Sequence, residues 1–126
     1  MNREERIRAV LNHQEPDRIP ISVWMHMSEF DQDPVSLAEA LVNFNETHDY
    51  DFIKMMPFGA YMIPDWGAKM KIFCTKYKEV EIADVAIKEL EDYKKIQPLP
   101  AYYGTWGKQV QLAQHLSKLV RPHTPY

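Results

Sequence analysis

The amino-acid sequence predicts an α/β fold, because strand patterns and amphipathic helix patterns alternate along the chain. Two apolar, β-rich runs, 19–24 and 52–56, each have the length of a strand. A helix pattern that begins at Asp33 lies between them. Strand, helix and strand in this order normally place two parallel strands side by side with a right-handed crossover. We therefore expect a β-α-β unit at the centre of one domain, 1–126.

The first elements of the chain are predicted from a helix cap and a β-rich run. Asn2 followed by Glu5 resembles a capping box, and three apolar residues share one face of the helix that we predict over 3–13: Ile7, Val10 and Leu11. The first strand pattern follows at 19–24. Pro20 lies inside it and indicates either a strand start or a position whose N–H faces solvent.

The second helix has a strong start signal. Asp33 can cap it through its carboxylate and Pro34 suits the first helical position. An apolar stripe then runs along one face: Leu37, Ala38, Leu41, Phe44 and His48. The strand pattern 52–56 follows and ends at Pro57, which cannot donate to a sheet.

The C-terminal half predicts a hairpin and two helices. Alternating residues predict its two strands: Met70, Ile72, Cys74, then Val80, Ile82 and Val85. A short polar helix is expected over 88–96, and an amphipathic helix over 105–120. A sheet with two parallel strands leaves apolar faces and edges uncovered, so the chain either pairs with copies of itself or is the first part of something longer.

The composition excludes several functional classes. A hydrophobic fraction of 45% is ordinary for a folded domain. A formal net charge of -3 gives no basic surface for nucleic acid or an anionic membrane. No run approaches the ~20 apolar residues that cross a bilayer, and the N-terminus lacks the apolar core of a signal peptide. With one cysteine and no internal disulfide, the protein is expected to be cytoplasmic.

Three segments resemble the N-terminal part of the uroporphyrinogen decarboxylase superfamily. They are NREERIRAVLNHQEPDRIP (2–20), SVWMH (22–26) and YDFIKMMPFG (50–59). The resemblance runs from Arg3 to about Val120 and implies a TIM (β/α)8 barrel, a fold of about 250 residues. It implies that 1–126 is a partial domain, the N-terminal part of a barrel that is incomplete in this chain. That part holds an N-terminal helix, two barrel strands, an inserted β-hairpin and the helix leading to the third strand.

Two departures from the decarboxylase pattern argue against uroporphyrinogen chemistry, and WMH (24–26) with KMMP (54–57) resembles the methyltransferase-like branch more closely. The decarboxylases carry an Arg-Gln-Ala-Gly-Arg run whose arginines bind substrate carboxylates, whereas 25–30 reads MHMSEF. Their essential aspartate after the second strand is absent from 56–59, which reads MPFG. The related methyltransferases act on coenzyme M and similar thiols, using zinc and a corrinoid partner. Their zinc ligands lie in later strands, so no cofactor is expected in this chain, and we expect little or no catalysis by it alone.

The candidate substrate-pocket residues lie near the C-terminal ends of the two strand patterns and in the loop after the second pattern. His26 can bind substrate or move protons, or it is a solvated or core loop histidine. Lys54 can bind an anionic substrate, or it forms an ion pair with one of three acids: Asp49, Asp51 or Asp65. Three residues either line the mouth of the pocket, with Asp65 as acid or base, or pack and cap a loop: Tyr61, Asp65 and Trp66.

Two broader interpretations stay open at this stage. The methionines at 25, 27, 55, 56 and 62 form either an adaptable pocket for a flat ligand such as a tetrapyrrole or part of the core. The chain is either part of a lyase or methyltransferase acting on a small molecule, or a non-catalytic module. Such a module would use its uncovered sheet edge to form a homo-oligomer or to complement another barrel half.

Overall fold

The computed structural model describes residues 1–126 and contains three α-helices, two 3-10 helices and two strands. The α-helices are α1 (Arg3–Leu11), α2 (Pro34–His48) and α3 (Gly104–Leu119). The 3-10 helices are Pro64–Trp66 and Leu90–Lys95, and the strands are β1 (Lys69–Lys71) and β2 (Glu81–Asp84). No helix in the chain is both long and apolar enough to cross a membrane.

The caps of α1 and α2 confirm the helix starts expected from the sequence. Asn2 accepts a hydrogen bond from the backbone N–H of Glu5, and the Glu5 carboxylate accepts one from the N–H of Asn2, both at 2.8 Å. Asp33 accepts from the N–H of Ser36 at 2.8 Å. Each cap satisfies backbone donors that the first helical turn leaves free. α1 ends at Leu11, two residues before the predicted end.

The core lies where α2, α3 and one extended segment meet. Its fully buried apolar residues come from these three elements: Leu37, Ala38, Leu41, Ile53, Leu112 and Leu116. Met27, Met55 and Val120 pack against them as partly buried residues. Ile53 is therefore the point at which the predicted second strand joins the helices, and it sets which side of that segment faces inward.

The two segments that the sequence predicts as strands are extended but are not β-strands. The backbone contributes one direct bond between them, from the N–H of Asp51 to the C=O of Ile21 at 2.8 Å. Side chains replace the rest of the ladder: the Asp51 carboxylate accepts from the N–H of Ile21, and the C=O of Phe52 accepts from Ser22 at 2.7 Å. Pro20 also lacks an N–H to donate. The sheet therefore contains β1 and β2 alone.

The same contacts show that 19–24 and 52–56 run parallel. Ile21 meets residue 51, Ser22 meets residue 52, and His26 meets Pro57, so both segments advance together. On the far side, the N–H of Ile53 donates to the C=O of Pro125 at 2.9 Å. The chain at Pro125 therefore lies next to the segment 52–56. Apolar side chains of 19–25 remain exposed, including Ile19 at 79%.

The hairpin is confirmed, and it is shorter than the sequence pattern suggests. β1 and β2 pair antiparallel, with Met70 opposite Ile82 and a bulge between Lys69 and Met70. The predicted polar helix over 88–96 is a 3-10 helix, Leu90–Lys95, in which Asp92 accepts from two backbone N–H groups. The final amphipathic helix is confirmed as α3, within one residue of its predicted bounds.

Candidate functional site

Trp24, His26 and Lys54 lie together where the two parallel segments end, and we call them the Trp24 cluster. The Lys54 Nζ lies 4.4 Å from the centroid of the Trp24 ring. The His26 ring meets the Trp24 ring edge-on, with centroids 5.9 Å apart. His26 and Lys54, predicted separately as pocket residues, are therefore brought to the same indole. Half of the Trp24 surface is exposed, so a small molecule can reach the cluster.

The hydrogen bond of His26 decides which ring nitrogen is free. Its Nδ1 lies 3.0 Å from the carbonyl oxygen of Pro57. A carbonyl oxygen accepts only, so Nδ1 carries the proton and Nε2 holds the lone pair in the neutral ring. The Nε2 side faces Gly59, where an added Cβ would lie 4.0 Å away. His26 can therefore accept a proton at Nε2 or, once protonated, donate to an anion.

Lys54 does not form the structural ion pair that was its alternative role. Its side chain is exposed, and the ion pairs of the chain use other cations for Asp49 and Asp51. Asp65 is hydrogen-bonded by α3 instead. The contact of Lys54 is the face of Trp24, a cation–π interaction of ~0.5–1 kcal/mol at an exposed site. Its ammonium protons remain free for an anionic ligand.

A groove of about 310 Å³ opens beside His26. Its walls come from the loop 25–30, one side of α2 and the hairpin residue Lys76. On the α2 side, His48 stacks on Tyr50 with centroids 5.4 Å apart, and Phe44 meets His48 edge-on. The groove has the size of a small ligand and lies at the low end of ligand pockets.

Asp31 is a buried carboxyl close to this groove. The residue is 5% exposed, and its Oδ2 atom is buried without a hydrogen-bond partner. Its Oδ1 accepts from the side chain of Gln32 at 2.8 Å. Burial raises the pKa of Asp31, while Gln32 and the charge of His26 act in the opposite direction. The sequence pattern gave no signal for this group, because a lone aspartate before a helix cap usually lies at the surface.

The other three predicted pocket residues are engaged by α3 and its approach. Asp65 caps α3: it accepts from the N–H of Thr105 at 2.9 Å, from the Thr105 hydroxyl at 2.7 Å and from the N–H of Trp106 at 3.1 Å. Tyr61 packs edge-on against Trp106, and the Trp66 indole donates to the C=O of Gln97 at 2.8 Å. These contacts correspond to the packing and capping roles that the sequence left open.

The cap geometry also explains the pKa of Asp65. Burial alone would raise the pKa of this carboxyl, but the donors of Thr105 and Trp106 outweigh burial and lower it. Gly104 has φ +50, and a Cβ there would lie 2.1 Å from Asp65 Oδ1, so the cap also needs a glycine at this position. Asp65 is thus held as an ionised cap rather than as a proton donor.

At the other end of the parallel segments, where 19–24 and 52–56 begin, an ion-pair cluster joins α1 to both segments. It consists of Arg6, Arg18 and Asp51. Asp51 is fully buried and accepts from Arg6 at 2.6 Å, from both terminal nitrogens of Arg18 at 2.6 and 2.9 Å, and from the N–H of Ile21. Burial would raise the pKa of Asp51, but these donors outweigh it and lower it. Sequence spacing alone could not pair residues so far apart along the chain.

The residues present do not form a zinc site by themselves. Zinc in proteins is held by three or four His, Cys or carboxylate ligands around one point. No three or more such residues gather closely enough to hold a metal ion, and Cys74 is exposed in the hairpin.

No protein-family model, curated protein or solved structure matches this chain. We therefore infer what the chain can bind from its own residues and their contacts.

Proposed function

We propose that the chain is part of a uroporphyrinogen decarboxylase-like enzyme, closer to the methyltransferase-like branch, in which the Trp24 cluster binds a small anionic substrate. One observation carries this proposal. The parallel segments 19–24 and 52–56 end together and bring His26 and Lys54 to one exposed indole, within reach of a single small ligand. Enzymes built from parallel strands and crossover helices place their sites where such strands end.

The charges of the cluster favour an anion over a neutral ligand. Lys54 has no carboxylate partner, so an arriving anion does not have to displace one. His26 presents Nε2, which donates to an anion when the ring is protonated. Trp24 offers an apolar surface for the carbon chain of the ligand. A short thiol that ends in a sulfonate, as coenzyme M does, has this combination of groups.

Binding of 2-mercaptoethanesulfonate tests the proposal directly. We expect shifts of the Trp24 indole and His26 ring signals in NMR spectra as this probe is added, and much smaller shifts with 2-mercaptoethanol, which lacks the anion. Lys54→Met should weaken the binding about fivefold, the effect of losing roughly 1 kcal/mol of charged contact at an exposed site. The matched control is Lys118→Met, which removes an exposed lysine from α3.

Equal binding of the sulfonate and the alcohol would contradict an anion site. So would equal binding by the wild type, Lys54→Met and His26→Gln. A loss of binding in Lys118→Met as large as in Lys54→Met would mean that only the overall charge matters.

A second candidate function is a non-catalytic module that assembles with itself or with a complementary barrel half. The accessible surface of the chain is 8491 Å², whereas a folded monomer of this mass exposes about 7,000 Å². The excess exceeds the roughly 800 Å² that one partner contributes to a standard interface. The exposed apolar side chains of 19–25 supply part of this area.

Light scattering across a range of concentrations tests this second function. Assembly through 19–25 predicts a defined oligomer that Ile19→Glu converts to monomer. Leu90→Glu is the matched control, because Leu90 is 84% exposed and lies on a 3-10 helix outside 19–25. A stable monomer at all concentrations would rule out self-assembly.

A further inference from the structure

The turn 57–61 meets the His26 ring beside both of its nitrogen atoms. The carbonyl oxygen of Pro57 lies 3.0 Å from Nδ1. A Cβ built at Gly59 would lie 3.9 Å from Cε1 and 4.0 Å from Nε2, the ring edge that includes the free nitrogen. Pro57 therefore occupies one nitrogen of His26, and Gly59 lies beside the nitrogen that can bind a ligand.

The position of Gly59 relative to the ring is fixed by its neighbours in the turn. Phe58 is buried and anchors the turn in the protein. The N–H of Tyr61 donates to the C=O of Phe58 at 3.2 Å and closes the turn. Pro57 has a restricted φ, and its C=O is held by His26. The open space at Gly59 is therefore a property of the folded turn.

The backbone does not require a glycine at position 59. Gly67 and Gly104 have φ values of +99 and +50, in the region that side chains rarely adopt, whereas φ of Gly59 is not positive. Within 4 Å, a Cβ at position 59 would meet the His26 ring alone, at ordinary contact distances. Glycine at this position therefore supplies room beside the ring rather than an unusual backbone conformation.

A larger side chain at position 59 would compete with a ligand for that room. A ligand oxygen that hydrogen-bonds to Nε2 lies about 3 Å from it. The two γ-carbons of a valine extend about 1.5 Å beyond a Cβ that is already in contact with the ring. They fill two of the three staggered positions, so rotation of the side chain cannot clear the approach.

We propose that Gly59 determines access to Nε2 of His26: the missing side chain leaves the space through which an anionic group reaches this nitrogen, and the size of residue 59 selects ligands by the group they present there. The inference rests on the proposed function of the Trp24 cluster, in which Nε2 donates to the anion.

Reaction with diethyl pyrocarbonate measures this access without any substrate. The reagent modifies an unprotonated imidazole nitrogen, and mass spectrometry of peptides gives the rate at each histidine. Wild-type His26 should react. Gly59→Val should lower its rate by about tenfold, the effect of overpacking by more than 1 kcal/mol. Gly59→Ala should lower the rate by about twofold, because its Cβ lies only at contact distance.

Two controls separate a closed approach from a changed fold. His13 is exposed after α1, and its rate should stay the same in every variant. Ala101→Val introduces valine in another exposed turn and should leave the rate at His26 unchanged. Unfolding exposes the ring and raises the rate at His26, whereas closure lowers it, so an unfolded Gly59→Val cannot imitate the expected result. If that variant does not fold, Gly59→Ala decides.

The inference would be overturned by a wild-type His26 that does not react. An unchanged rate at His26 in the folded Gly59 variants would also overturn it.

Binding of 2-mercaptoethanesulfonate separates the role of Gly59 from the function on which it rests. Loss of both the reaction and the binding in Gly59→Val would support both. A slowed reaction with unchanged binding, or with no binding even by the wild type, would keep the role of Gly59 and reject His26 as an anion ligand. Weakened binding with an unchanged reaction would keep the anion site and reject the role of Gly59.

Discussion

The two ends of the parallel segments 19–24 and 52–56 use buried carboxylates in opposite ways. At one end Asp51 is enclosed by two guanidinium groups and a backbone N–H, so its negative charge is fully compensated. At the other end Asp31 is buried to nearly the same extent with an oxygen that no donor reaches. Both carboxyls are buried, but Asp51 has four hydrogen-bond donors and Asp31 has one.

This difference shows that burial does not by itself reveal what a charged residue does. The donors around Asp51 join the N-terminal helix, the first extended segment and the second, which is a stabilising role. The Oδ2 atom of Asp31 has no hydrogen-bond partner and so links no elements of the fold. A residue that reduces stability where it lies is a candidate for function, because function is the usual reason for retaining such a group.

The largest effect is expected from Asp51→Asn, which removes the buried negative charge that Arg6 and Arg18 share. Arg6 and Arg18 would lose the buried carboxylate that they share, and Arg6 would keep only the more exposed Asp17, so the free energy of unfolding should fall by about 3 kcal/mol. Urea denaturation followed by circular dichroism measures the change. Asp49→Asn is the matched control, because Asp49 pairs with Arg3 but its side chain is 84% exposed. An equal loss in both variants would remove the distinction between the buried and exposed ion pairs.

The pH dependence of stability should show the same contrast. Asp51 and Asp65 have lowered pKa values, so the stability they contribute is present above about pH 4 and is lost as the pH falls through their folded pKa values. Asp31 has a raised pKa and acts in the reverse direction. The thermal midpoint should therefore fall between about pH 5 and pH 2, and Asp51→Asn should flatten that fall. A variant curve parallel to the wild type would contradict this assignment.

A smaller loss is expected from Asp65→Ala, which removes the cap of α3. The first turn of α3 loses acceptors for the N–H groups of Thr105 and Trp106, so the free energy of unfolding should fall by about 1–2 kcal/mol. Thermal denaturation at neutral pH provides the measurement. Glu39→Ala, an exposed substitution on α2, should change stability by less than about 0.5 kcal/mol.

The smallest effect, and the one of opposite sign, is expected from Asp31→Asn. A neutral amide replaces a buried carboxylate without a full set of donors, so stability at pH 7 should rise by about 0.5–1 kcal/mol. The gain should disappear at acidic pH, where the carboxyl of Asp31 is protonated. Chemical denaturation at pH 7 and pH 3 compares the two states. Marked destabilisation at pH 7 would make Asp31 a structural residue like Asp51.

Part of the site was predictable from residue order alone. His26 follows the first strand-like run and Lys54 lies near the end of the second. Parallel segments should end on the same side, and the structure brings both residues to Trp24. The role of Asp65 was not decided by the sequence, because its capping partners lie 40 residues further along the chain. Asp31 was missed because no local pattern marks a side chain that tertiary packing buries.

The sequence by itself determined the three α-helices and the hairpin. These features depend on interactions between close neighbours: the caps at Asn2 and Asp33, the apolar stripes of α2 and α3, and the alternation around Met70 and Ile82. Tertiary structure decided that 19–24 and 52–56 pair through side chains rather than a β ladder, and which carboxyl each donor reaches. Those outcomes depend on side chains far apart in the chain meeting in three dimensions, and local periodicity carries no information about such meetings.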